Sequence, residues 1–193
     1  MVKIKFCGMT DLDDCKMAVD LAVDFVGFVF YKKSRRAVTP GRARRVIERL
    51  GRAVLTVGVF VEEDDREIEG VAGFCGLDFV QVYRESACAN AIRVLRVSGR
   101  LPDVPGGDGL LLFDSSSEGM GGSGRPFDHS LLKGCEALDR AFVAGGVDER
   151  NVGEILLMKP FGIDLASSIE AIPGRKDYRK MERFVKKVRG FRI

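Results

Sequence analysis

The chain has 193 residues, 46% of them hydrophobic and 31% charged, with a formal net charge of +3. That length and apolar content fit one globular domain spanning residues 1–193. The small charge excess, with both signs interspersed, excludes the strongly basic surface of a dedicated nucleic-acid binder.

Residues 3–6 (KIKF) read as a first strand, and 11–22 as a helix with Leu12, Cys15, Val19 and Ala22 on one face. The segment DFVGFVF (24–30) is nearly continuous in apolar residues, the mark of a strand buried on both faces of a parallel sheet. A helix over 39–51 follows, with Thr39 as cap, Pro40 as first residue and Gly51 as stop. The pattern continues with a strand at 53–61, a helix at 64–74, a strand at 78–83 and a helix at 86–95, overlapped by a candidate strand at 92–99. Strands at 109–114, 140–146 and 161–167 complete the set, with helices around 148–157 and 175–189. Such alternation predicts an α/β fold with a parallel sheet, and eight strands close a (β/α)8 TIM barrel. The Pro- and Gly-rich stretch RLPDVPGGDG (100–109) cannot be helical, so the fifth helix is expected to be replaced by a loop. An open doubly wound sheet is the alternative.

No apolar run reaches the length of a membrane span, and Lys3 and Lys5 interrupt the short apolar start, so no secretory pattern is read there. A cytoplasmic protein with no membrane or nucleic-acid partner is the expectation. The five cysteines, Cys7, Cys15, Cys75, Cys88 and Cys135, are odd in number and scattered, without a C-x-x-C. That argues against a disulfide framework or a zinc site, and His129 is the only histidine.

In a barrel of this kind the active rim lies at the strand C-terminal ends. Those ends carry Cys7 and Gly8; Lys33, Ser34, Arg35 and Arg36; Asp114; Asp128, closing the loop EGMGGSGRPFD; Gly145 and Gly146; and Asp164, Ser167 and Ser168. Cys7 reads either as a buried hydrophobe or as a reactive thiol. Asp128 is either an acid or a helix N-cap. KKSRRAV (32–38) is either a solvated charge run or an anion site. Gly145, Gly146, Ser167 and Ser168 read either as turn and cap residues or as a phosphate site on the loops after the last two strands. GMGGSG (119–124) matches the dinucleotide fingerprint letter for letter. It does not turn directly from a first strand into a helix, so that reading is rejected in favour of a lid, a phosphate-approaching loop or a plain surface loop.

Taken together, KFCGMT (5–10), VGFVFYKKSRR (26–36), VGVFV (57–61), LLFDSS (111–116), GGSGRPFDHS (121–130), AGGVDERNV (144–152) and GIDLASSIEAIPGRKD (162–177) resemble the phosphoribosylanthranilate isomerase family over nearly the whole chain. The resemblance implies a (β/α)8 barrel isomerase of tryptophan biosynthesis. It would convert an aminoaldose to an aminoketose by Amadori rearrangement, with no cofactor and no metal, on a small phosphorylated substrate, as a monomer or homodimer. It implies Cys7 as general base, Asp128 as general acid and Arg36 facing the anthranilate carboxylate. Gly145, Gly146, Ser167 and Ser168 would hold the phosphate, and Asp164 would add to substrate binding. Two departures stand out: QVYR (81–84) where the family usually reads Gln-Leu-His-Gly, and Ser168 where it usually reads glycine. A histidine-pathway-like barrel isomerase, or a catalytically idle barrel that only binds a phosphorylated ligand, are the alternatives.

Overall fold

Eight short segments rich in Val, Ile, Leu and Phe pair in parallel and in sequence order, from β1 (Lys3–Phe6) through β2 (Phe25–Val29), β3 (Leu55–Phe60), β4 (Phe79–Val82), β5 (Ala91–Val97), β6 (Leu111–Ser115), β7 (Ala141–Val143) and β8 (Gly162–Leu165). β8 then pairs with β1, Lys3 opposite Gly162 and Phe6 opposite Leu165, which closes the barrel. The structure, a computed structural model, describes residues 1–115 and 127–192. The glycine-rich run 119–124 lies outside the described residues.

The helices start where short polar side chains cap them. Asp11 accepts from the Asp14 amide before α1 (Leu12–Asp20), and Thr39 from Arg42 before α2 (Pro40–Leu50). Asp64 and Glu67 form a reciprocal capping box on α3 (Asp65–Cys75). α4 (Val152–Leu157) starts later than the expected 148 and stays short, and Asp177 caps α5 (Tyr178–Arg189). Two small strands, β9 (Glu170–Ile172) and β10 (Arg175–Lys176), form an antiparallel hairpin between β8 and α5.

The loop expected at 100–109 is present, with no helix between β5 and β6. The helix expected at 86–95 is not formed, which corrects the sequence reading. Asp65, the first residue of α3, captures the Ser86 hydroxyl and the Ala87 amide, and the Ser86 oxygen takes the Cys88 amide. Asn90 adopts a left-handed φ of 54°. The overlapping β-branched run through Ile92, Val94 and Val97 then forms β5. Between β6 and β7 the described residues hold only two 3-10 turns, His129–Leu132 and Glu136–Arg140.

Alternation in the strands splits the core in two. Ile4, Phe6, Val26 and Phe28 point outward against α1, α2 and α5, burying Ala18, Val46, Ile47 and Phe184. Phe25, Val57, Ile92, Leu112 and Phe142 point inward. Phe25 packs edge-on against Phe142 and Phe79, with centroids 5.3 and 5.7 Å apart, and Phe142 against Phe161 at 5.1 Å. Phe25 and Phe79 begin their strands and Phe161 precedes β8. The aromatic plug therefore fills the N-terminal end of the barrel, and the opposite end is left to polar side chains.

Candidate active site

At that opposite end, Lys5, Gln81 and Asp164 are buried in the barrel interior. Lys5 is 0% exposed, and its Nζ donates to Asp164 Oδ1 at 2.8 Å. Burial works against the Lys5 charge, but Asp164 and Cys7 reverse that, and the ammonium is held above its ordinary pKa. Above this pair opens a cavity lined by Cys7, Arg36, Gly145, Gly146, Asp164, Ser167 and Ser168, seven of the eight residues to which the resemblance gives a role. Tyr31, Ser34, Gln81, Tyr83, Asp114 and Ser115 add to its polar wall.

Cys7 sits one residue past β1, on the inward face two positions from Lys5. Burial pushes its thiol up, Lys5 and Lys176 pull it down, and Asp164 pushes it up again. Lys176, on the hairpin, donates from Nζ to the carbonyls of Cys7 (2.7 Å) and Ala166 (3.1 Å) and to Glu170 Oε1 (3.1 Å). One ammonium thus ties the ends of β1 and β8 to the hairpin. Arg36 gives Nε and Nη2 to the two carboxylate oxygens of Glu170, at 2.8 and 2.6 Å, a bidentate pair that raises the Arg36 pKa. Gly8, at φ 75°, leaves room for the Arg36 stem: a Cβ there would stand 2.4 Å from Cδ.

Asp128 is the exception among those eight. It is exposed, it does not line the cavity, and it accepts from the Ser130 amide at 2.9 Å as cap of the turn that follows. Hydrogen bonds from Ser130 hold its carboxyl below the usual range. Its chain neighbours nevertheless pack on the cavity wall. The Phe127 ring lies against Gly145, and His129 Nε2 is 3.2 Å from the Ala144 carbonyl. Asp128 therefore stands at the rim.

Sequence reasoning missed four members of the site. Lys5 was read only as a strand residue and Glu170 only as part of a loop. Lys176 lies two residues beyond the Gly174 turn and has no rim signature in the sequence. Gln81, 2% exposed, carries an Oε1 with no hydrogen-bond partner among the described residues. A buried orphan acceptor costs about 1–3 kcal/mol, so its place on the cavity wall calls for a donor. Tyr83 brings its hydroxyl to within 3.5 Å of Asp114 Oδ2 and stacks under Arg96. Burial pushes the Asp114 carboxyl up. Among the described residues no cluster of three or more His, Cys, Asp or Glu is placed to hold a metal ion. No described helix is long and apolar enough to cross a membrane.

Comparison with known proteins follows the same outline. The family model described as N-(5'-phosphoribosyl)anthranilate (PRA) isomerase matches residues 4–187. The N-(5'-phosphoribosyl)anthranilate isomerase of Pelobacter propionicus is 37% identical over 198 residues, covering 96% of this chain and 95% of that protein. The crystal structure of the phosphoribosyl anthranilate isomerase from Thermus thermophilus superposes with a TM-score of 0.88 at 29% identity, covering 99% of this chain and all of that one. A phosphoribosyl anthranilate isomerase in complex with reduced 1-(o-carboxyphenylamino)-1-deoxyribulose 5-phosphate superposes with a TM-score of 0.81 at 32% identity, again over 99% of this chain and all of that one.

Proposed function

The chain belongs to the N-(5'-phosphoribosyl)anthranilate isomerase family, and from that premise we propose that Cys7 and Asp128 are its base and acid. The activity is the isomerisation of N-(5'-phosphoribosyl)anthranilate to 1-(2-carboxyphenylamino)-1-deoxyribulose 5-phosphate in tryptophan biosynthesis, on one barrel domain over residues 1–193. The observation that carries the site reading is the single cavity joining Cys7, Arg36, Gly145, Gly146, Asp164, Ser167 and Ser168.

The substrate is a small molecule with a carboxylate at one end and a phosphate at the other. Arg36, with one edge of its fork fixed by Glu170, faces the anthranilate carboxylate. Gly145 and Gly146, both with left-handed φ, and the hydroxyls of Ser167 and Ser168 hold the phosphate. Two anchors at the ends of one molecule fix the sugar between them beside Cys7. The Gln81 acceptor and Asp164 take sugar hydroxyls, which fills the orphan Oε1.

The Amadori rearrangement then needs two proton transfers. Asp128 gives its proton to the furanose ring oxygen as the C1–O bond breaks, leaving a protonated Schiff base. The Cys7 thiolate takes the proton from C2, and the electron pair of that C–H bond forms the enamine, which tautomerises to the ketone. Hydrogen count and redox state are conserved overall.

Turnover followed by the fluorescence loss of N-(5'-phosphoribosyl)anthranilate tests these roles. Cys7→Ser and Asp128→Asn are each expected to lower kcat by about a hundred-fold or more while product still binds. Near-normal turnover in either variant removes that residue from the acid–base pair. Arg36→Ala is expected to act mainly on KM, and an unchanged KM would sink its carboxylate role.

A further inference from the structure

The Cys7 thiol is buried, and burial disfavours the thiolate that a base requires. Something in the fold must supply positive charge at the sulfur. Lys5 is the nearest candidate on the same strand. Cys7 extends the run of β1 by one residue and lies two positions from Lys5 on the same inward face, so both side chains enter the barrel together. Gly27 on the neighbouring strand shows how close they come: a Cβ built there would stand 3.0 Å from Cys7 Sγ and 3.4 Å from Lys5 Nζ. The missing side chain leaves one small space, and the sulfur and the ammonium both border it. Lys5 cannot swing away to water, since it is fully buried and fixed at 2.8 Å by Asp164.

Resting on the reading of Cys7 as base, we propose that Lys5 is a positioning residue whose buried ammonium, oriented by Asp164 and admitted by Gly27, is the counter-charge of the Cys7 thiolate. Asp164 has a double part. It keeps Lys5 charged, yet its own negative charge opposes the thiolate. The other charged and titratable groups that act on this site are Lys176 from the hairpin, Arg36 from the loop after β2, Tyr83 one residue past β4, and Asp114 from β6. Lys176 spends its three hydrogen bonds on the Cys7 and Ala166 carbonyls and Glu170. Arg36 spends two of its own on Glu170. Lys5 is thus the cation left facing the sulfur inside the barrel.

The proposal makes a prediction of opposite signs. Alkylation of Cys7 by iodoacetamide, read site by site by mass spectrometry across pH, gives the thiol's titration midpoint without substrate or turnover. Lys5→Met is expected to move that midpoint up by about one to three pH units. Asp164→Asn, which keeps the lysine, is expected to move it down. The basic limb of the kcat/KM profile should follow in each case. Midpoints that stay fixed, or that move the same way in both variants, overturn the proposal and leave Lys5–Asp164 as a structural pair. Should Lys5→Met not fold, Lys5→Gln is read in the same way, and an unmoved Cys7 midpoint refutes the idea. The result is separable from the base assignment: active Cys7→Ser would remove Cys7 as base while the alkylation shifts still stood.

Discussion

At the scale of the residue, the proposed base and acid sit in mismatched states. Burial pushes the Cys7 thiol up, while hydrogen bonds from Ser130 hold the Asp128 carboxyl down. The resting pair is then thiol and carboxylate, whereas catalysis needs thiolate and carboxylic acid. The two forms contain the same number of protons, so the reactive one is reached by moving a proton between partners, and its population rises as the two pKa values approach each other. Ser130 is the simplest handle. Ser130→Ala keeps the amide bond but removes the hydroxyl that favours the ionised Asp128, so the Asp128 pKa rises. The acidic limb of the kcat/KM profile is expected to move to higher pH with the basic limb unmoved. A profile identical to wild type would show that Asp128 does not set that limb. Little of this was legible beforehand. Cys7, Arg36, Gly145, Gly146, Ser167 and Ser168 could be found because they lie at strand ends in recognisable segments. Lys5 and Gln81 alternate with apolar residues inside strands, where the sequence pattern says only which face they share.

At the scale of the element, periodicity located most helices and Thr39 marked the start of one, while in the structure Asp11, Asp64 and Asp177 likewise satisfy amides within the first turn of theirs. The stretch 86–95 failed for the opposite reason: its decisive partner is distant in sequence. Asp65 accepts from Ser86, the Ala87 amide and Arg84 Nη2, while Arg84 also binds the Glu63 carbonyl. These bonds hold the Asp65 carboxyl down to about 2, with the Ala87 amide the largest contributor. An acceptor on α3 thereby dictates a non-helical path between β4 and β5. Asp65→Ala is expected to accelerate amide hydrogen exchange over residues 84–90, with the Ala87 amide most affected and β4 little changed. Unaltered exchange at Ala87 would mean that the connection holds its shape without the carboxylate.

At the scale of the whole molecule, a barrel is complete only when its first and last strands meet, and strand patterns alone do not reveal that closure. The sequence reading therefore kept an open sheet as an alternative. In the structure β8 pairs with β1, and a clasp centred on Asp24 ties the first strand to the final helix. Its carboxylate accepts from Lys3 Nζ at 2.9 Å, the Ile4 amide at 2.9 Å and Arg189 Nη2 at 2.8 Å. Arg189 also reaches the Val2 carbonyl at 2.9 Å. One carboxylate thus links the first strand, the second and the final helix. Burial opposes the Asp24 charge, but Lys3, the Ile4 amide and Arg189 outweigh it and hold the carboxyl below its ordinary range. A depressed folded-state pKa contributes stability that is present above the unfolded pKa and lost as pH falls through the folded one. Lys3 is half exposed, so solvent screens part of the gain. Asp24→Asn is accordingly expected to cost about 1 kcal/mol at neutral pH and to lower Tm by about 2–4 °C. The difference from wild type should begin to shrink as pH drops past about 3.9, where the unfolded chain takes up its proton. Paired thermal melts from neutral to strongly acidic pH measure it, and a gap that stays constant throughout would show that the Asp24 charge is not what stabilises the clasp.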